Sequence, residues 1–259
     1  MSEEQIKKPR RGIYLLPNLF TTAALFAGFY AIVSAMGGLF EQAATAVYIA
    51  MMLDGLDGRV ARLTNTQSEF GAQYDSLADM VSFGVAPALV MYEWALSDLG
   101  RYGWLAAFIY TVSAALRLAR FNTQIGIADK RYFVGLASPA SAAVVVGFVW
   151  IAGDFGFTPH KLDWIAWALT VACGLLMVSN IRYYSFKTLD FKGKVPFFFL
   201  LLAVLLFVLV TIDPPKVLFS VFAGYAASGL VTTTWMLMRR RRQRLAGEDP
   251  AQVDKPGDK

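Results

Sequence analysis

Apolar residues fall into eight stretches, roughly 13–37, 41–62, 71–96, 102–124, 135–153, 162–181, 195–212 and 215–238. Each is near the ~20 residues that a helix needs to cross a bilayer. The runs are too long for strands and lack period-two alternation, so they are expected to be helices. Gly37-Gly38, Arg101-Tyr102-Gly103, Asp129-Lys130-Arg131 and Asp213-Pro214-Pro215 punctuate them. Single glycines and prolines inside a run do not break a spanning helix. The fold class expected is therefore all-α: a polytopic membrane helix bundle of about eight transmembrane helices over 13–238. A basic segment, 1–12, precedes it, and a polar tail, 239–259, expected to be unstructured, follows it.

Composition agrees. Of 259 residues, 56% are hydrophobic and 17% charged, which excludes an ordinary soluble domain. The single cysteine, Cys173, rules out an internal disulfide. Net charge is +5, and its placement says more than its size. Lys7, Lys8, Arg10 and Arg11 precede the first stretch, and Arg59 and Arg62 close the second. Arg117, Arg120, Lys130 and Arg131 lie between the fourth and fifth. Arg182, Lys187, Lys192 and Lys194 lie between the sixth and seventh, and Arg239 to Arg242, Arg244, Lys255 and Lys259 follow the last. With eight crossings all of these share one side, and only Arg101, Lys161 and Lys216 fall on the other. The positive-inside rule then puts both termini in the cytoplasm, in a cell (inner) membrane. The first apolar stretch exceeds a signal-peptide core, so it is expected to be retained. The basic start suits either an interfacial contact with anionic lipid or a topology signal alone. No nucleic-acid partner is expected.

The end of the second stretch and the start of the third hold four acids, Asp54, Asp57, Asp75 and Asp79. Intramembrane acids are expensive and signal function. Asp54 and Asp57 are three apart, Asp75 and Asp79 four apart, so each pair shares one helix face. The polar link from Thr64 to Glu69 lets the two helices pack as neighbours near the cytoplasmic surface. Four anions so close repel, so a cation binds there or some acids carry protons. The donors are all oxygen, with no His or Cys nearby, which suits Mg2+ or Mn2+ rather than zinc. Gly55, Gly58 and Gly71 remove side chains where a ligand or a neighbouring backbone comes close. Arg62 can pair with phosphate oxygens.

The stretch 54–79 carries Asp54, Asp57, Gly58, Ala61, Arg62, Gly71, Asp75 and Asp79 at fixed spacing. It resembles the signature of the CDP-alcohol phosphatidyltransferases, D-x-x-D-G-x-x-A-R-x(8)-G-x(3)-D-x(3)-D, at every fixed position. Three further stretches resemble the family's bacterial, serine-using branch. They are Leu16-Pro17-Asn18-Leu19-Phe20-Thr21, Arg117-Leu118-Ala119-Arg120-Phe121-Asn122 and Gly135-Leu136-Ala137-Ser138-Pro139-Ala140, with Ala137 where that branch carries proline. The resemblance implies that Asp54, Asp57 and Asp75 hold a pair of divalent metals, with Asp79 near the second and acting as general base. It implies that Gly58, Arg62 and Ser68 contact the CDP moiety of CDP-diacylglycerol, and that the protein is a homodimer. The acceptor it implies is L-serine.

A serine acceptor brings a carboxylate, which a cation should meet. Arg117 and Arg120, three apart at the end of the fourth stretch, can supply one, and Asn122 can add a hydrogen bond. Topology alone also predicts basic residues there. Glycerol 3-phosphate, inositol phosphate and choline are the competing acceptors. A transporter built on the acidic cluster is the competing class, but it would place the acids near the bilayer midplane. Cys173 and His160 lie far from the motif in sequence, so direct attack is favoured over a covalent intermediate. His160 reads as a solvated loop residue. Trp94, Trp104, Trp150 and Trp164 read as an interfacial aromatic belt, and the membrane lipids as its surroundings.

Overall fold

The computed structural model describes residues 15–64, 66, 68–123, 132–184 and 197–245. The expectations for the basic start at Lys7 to Arg11, for Lys130, Arg131, Lys187, Lys192 and Lys194, and for the tail beyond 245 lie outside the described residues. Helix dominates. Helix α1 spans Leu15–Met36, α2 Phe40–Leu63, α4 Arg101–Thr123, α5 Ser138–Asp154, α6 Asp163–Val178, α7 Phe197–Ile212 and α8 Pro214–Leu245. Helix α3, Glu69–Leu99, is one continuous rod that widens into π-helical turns at Met80–Val85 and Tyr92–Leu96.

These helices match the eight apolar stretches within a few residues, except that α8 runs on to Leu245. Its last turns are rich in Arg, Gln, Leu and Met, which favour helix, so the backbone hydrogen bonds continue past the apolar stretch. Among the described residues, four helices are long and apolar enough to cross a membrane: Leu16–Met36, Glu69–Leu99, Arg101–Thr123 and Pro214–Trp235. Ser138–Asp154 and Asp163–Val178 are apolar but shorter. Large apolar side chains such as Phe26, Phe29, Phe108, Leu175 and Phe207 are exposed on the helix surfaces. That is the surface of a helical membrane protein, whose surrounding medium is as apolar as its core.

Helix α3 is the hub. Of its apolar window 61% is buried, against 11% for α8. Helices α1 and α2 pack as a tight antiparallel pair, and α1 also lies along α3. A Cβ on Gly28 of α1 would sit 2.5 Å from Ser82 Oγ, so only glycine permits this approach, and Ser82 Oγ donates to Ala24 O at 3.1 Å. Helix α4 packs on α6, and α5 lies between α2 and α8.

Two strands, β1 Tyr132–Val134 and β2 Arg182–Tyr184, pair antiparallel with Phe133 opposite Tyr183, which the all-helical expectation did not include. The ladder joins segments about 50 positions apart, so no local pattern announces it. Gly135 follows at φ +82°, its N donating to Ile181 O at 2.8 Å, and Leu136 N donates to Leu176 O at 3.0 Å. These bonds pin the first turn of α5 against the end of α6. Trp94 departs from the aromatic belt: it is 6% exposed and packs edge-on against Phe148, 5.8 Å between centroids. Trp104 and Trp164 are more than half exposed, as the belt requires.

Candidate active site

The chain reverses between α2 and α3 through a short, well-capped link. Thr64 Oγ1 donates to Val60 O at 2.7 Å and lies 2.7 Å from Thr66 Oγ1. Ser68 then caps α3 by accepting from Gly71 N at 3.0 Å. This N-cap satisfies one of the helix's free N–H groups and fixes where α3 starts. The last turns of α2 and the first turns of α3 therefore face each other.

Carboxylate oxygens of Asp54, Asp57 and Asp75 lie within 4.8 Å of one another. Asp57 is buried and accepts from Thr21 Oγ1 of α1 at 2.7 Å. Asp75 Oδ1 is buried with no hydrogen-bond partner among the described residues. Asp79 stands one turn further along α3, outside the three-oxygen group, and interacts electrostatically with Asp54, Asp75 and Arg117. Three hard oxygen donors around a point, one with an orphaned buried oxygen, fit a divalent cation of the Mg2+ or Mn2+ kind.

A cavity of about 420 Å3 opens beside this group, lined by Thr21, Asp57, Gly58, Arg62, Ser68, Gly71 and Asp75. A Cβ on Gly58 would meet nothing within 4 Å, so this side of α2 faces open space. A Cβ on Gly71 would lie 3.1 Å from Ser68 Oγ, so glycine there serves the cap as well as the cavity. Arg62 Nε donates to Gly58 O at 2.9 Å, which holds the guanidinium along the wall. Its terminal nitrogens have no partner among the described residues. Ser68, Gly71 and Ala72 of the N-terminal turn of α3 line the same wall, and the positive end of a helix dipole favours phosphate there.

The three residues read as acceptor ligands separate in the structure. Arg117 is partly buried. Its Nη1 donates to Ser138 Oγ at 2.6 Å, it interacts with Asp79, and its Nε has no partner among the described residues. Arg120 donates from Nη2 to Asn180 Oδ1 at 2.7 Å. Asn122 pairs with Ser76, next to Asp75, with Nδ2 donating at 3.0 Å. Sequence reasoning missed Thr21 and Ser138 as site residues. Both sit inside stretches that carried the family resemblance, but nothing local marks their partners on other helices.

Fold and site together define a helical membrane protein with a cleft suited to a divalent cation and a phosphate group. The chain belongs to the CDP-alcohol phosphatidyltransferase family, whose pattern matches residues 14–175. It is 39% identical over 224 residues to the CDP-diacylglycerol–serine O-phosphatidyltransferase of Helicobacter pylori, covering 86% of this chain and 92% of that one. It is 40% identical over 186 residues to the enzyme of that name from Mycobacterium tuberculosis, covering 68% and 64%. With the one from Methanocaldococcus jannaschii it shares 41% identity over 137 residues, covering 53% and 61%.

Proposed function

We propose that this protein transfers the phosphatidyl group from CDP-diacylglycerol to L-serine, giving phosphatidylserine and CMP. The observation that carries this reading is the meeting of the Asp54, Asp57 and Asp75 oxygens beside a cavity lined by Gly58, Arg62, Ser68 and Gly71. The relatives' names favour serine among the acceptors.

Asp54, Asp57 and Asp75, with Asp79 beside them, would hold the divalent ions, a pair being the family's expectation. Bound there, such ions would supply positive charge to offset the pyrophosphate and the departing CMP. Gly58, Arg62, Ser68 and Gly71 bind the CDP part, with the lipid tails left in the bilayer. Arg117 receives the serine carboxylate, while Arg120, engaged by Asn180, and Asn122, paired with Ser76, support the wall around it. Asp79, near Arg117, takes the hydroxyl proton. The serine oxygen then bonds to the phosphorus that carries diacylglycerol, and the bond from that phosphorus to the CMP oxygen breaks. No covalent enzyme intermediate forms. The only cysteine, Cys173, is buried in α6.

Eight crossings over 13–238 put both termini, the basic start and the tail in the cytoplasm, with the cleft at the cytoplasmic face of an inner membrane. The working unit is a homodimer surrounded by membrane lipids.

The test is CMP release by purified protein in detergent with CDP-diacylglycerol and Mg2+ or Mn2+. The acceptors offered are serine, glycerol 3-phosphate, inositol 1-phosphate and choline. CMP formed only with serine, together with a new aminolipid, supports the reading. Release with another acceptor overturns the choice of serine and keeps the chemistry. Release with none overturns the activity.

A further inference from the structure

We infer that Thr21 is a positioning residue for the Asp57 carboxylate, an assignment that rests on the divalent-cation reading of the cleft. Thr21 lies in α1, outside the 54–79 stretch, and its side chain is 4% exposed. Its Oγ1 is 2.7 Å from Asp57 Oδ2 and 3.1 Å from Pro17 O, one turn back in its own helix.

A hydroxyl carries one proton and donates to one of the two. The carboxylate is nearer and charged, and charge-assisted hydrogen bonds are shorter and about twice as strong as neutral ones. Other helical threonines behave differently. Thr45, Thr111 and Thr170 donate to the carbonyl four residues back at 2.9, 2.9 and 2.7 Å. That is the ordinary way for a mid-helix threonine to satisfy its hydroxyl. Only the longer contact to its own helix remains for Thr21, because the proton is directed across to α2.

The result fixes the plane of the Asp57 carboxylate. One lone pair of Oδ2 is occupied by Thr21, while an oxygen of the same carboxylate faces Asp54 and Asp75. Hydrogen-bond partners behind metal ligands orient them, and their loss typically weakens metal binding about 10–100-fold. Valine matches the shape of threonine but has no proton to give. Serine keeps the proton.

The experiment measures Mn2+ affinity by electron paramagnetic resonance, in the full-length protein in detergent without lipid substrate, for the parent, Thr21→Val, Thr21→Ser and Asp57→Asn. Thr21→Val should bind Mn2+ about tenfold more weakly. Thr21→Ser should stay within about twofold of the parent, because it retains the donor. In turnover, Thr21→Val should raise the metal concentration for half-maximal rate while the KM for CDP-lipid at saturating metal stays unchanged. A merely structural threonine would instead lower thermal stability in metal-free protein and leave Mn2+ affinity alone. Where Thr21→Val does not fold, Thr21→Ala carries the same expectation. Parental Mn2+ affinity in the valine or alanine variant, with weakened affinity in Asp57→Asn, overturns the role of Thr21. Parental affinity in Asp57→Asn overturns the cation reading itself, and this inference with it.

Discussion

Glu41 and Asp54 sit on the same helix, roughly 20 Å apart along its axis at 1.5 Å per residue. The two ends of the bundle they mark treat charge in opposite ways. At the Glu41 end, opposite charges meet in the open. Lys216 Nζ lies 2.6 Å from Asp213 Oδ2 and 3.1 Å from Asp154 Oδ2, and 5.2 Å above the Phe155 ring. His160 Nδ1 lies 2.9 Å from Asp98 Oδ2 near the end of α3, and both side chains are exposed, as the reading of His160 as solvated expected. At the Asp54 end, Asp57 is buried, Asp75 keeps an orphaned oxygen, and Arg117 keeps an orphaned Nε. Among the described residues no lysine or arginine lies within ion-pair distance of Asp57, Asp75 or Asp79. Exposed ion pairs contribute little. Buried charges without partners are expensive, and a chain keeps them where a ligand completes the set. The contrast separates structural charge from chemical charge within one molecule.

The contrast breaks most visibly if the metal is removed. Chelation of divalent cations should abolish turnover, and added Mg2+ or Mn2+ should restore it, as read by CMP release. Activity that survives chelation would sever the acidic group from the chemistry. Next in size, Asp79→Asn should lower kcat about a thousandfold. Binding of CDP-lipid should persist in that variant, measured by equilibrium binding. A fully active Asp79→Asn would remove Asp79 from the base role. Arg117→Gln should raise the serine KM about thirtyfold, since truncating a partly buried, hydrogen-bonded charged partner is costly, and should leave the KM for CDP-lipid nearly unchanged. Arg120→Ala, whose guanidinium is already engaged by Asn180, should raise the serine KM only about threefold. Equal effects on both substrates would point to a phosphate or structural role. The smallest effect belongs to the far end: Lys216→Met should keep activity within about twofold of the parent.

Much of this was legible before any coordinates. The apolar stretches 41–62 and 102–124 anticipate Phe40–Leu63 and Arg101–Thr123, because apolar run length is itself what a bilayer selects. The meeting of Asp54, Asp57 and Asp75 was legible because two helix spacings and one short polar link leave those side chains few other places to go. What escaped was set by contacts between segments distant in sequence. Trp94 reads as a belt residue from its place near a helix end, yet Phe148 of α5 buries it. The Arg117–Ser138 bond depends on a two-stranded ladder that pins the start of α5, and no local periodicity encodes that pairing. The π-helical turns just after Asp79 lie where α3 packs against α1 and α4, and no periodicity in Met80–Val85 announces them.

The central claim is that charge at one end of the bundle is kept for a ligand and charge at the other end is not. Counting Mn2+ bound at equilibrium tests it directly. Three proteins are compared: the parent, one carrying Asp54→Asn, Asp57→Asn and Asp75→Asn, and one carrying Glu41→Gln, Asp154→Asn and Asp213→Asn. The account predicts that the parent and the second variant bind Mn2+ alike and that the first variant binds none. Binding retained by the first variant, or lost only in the second, would contradict it.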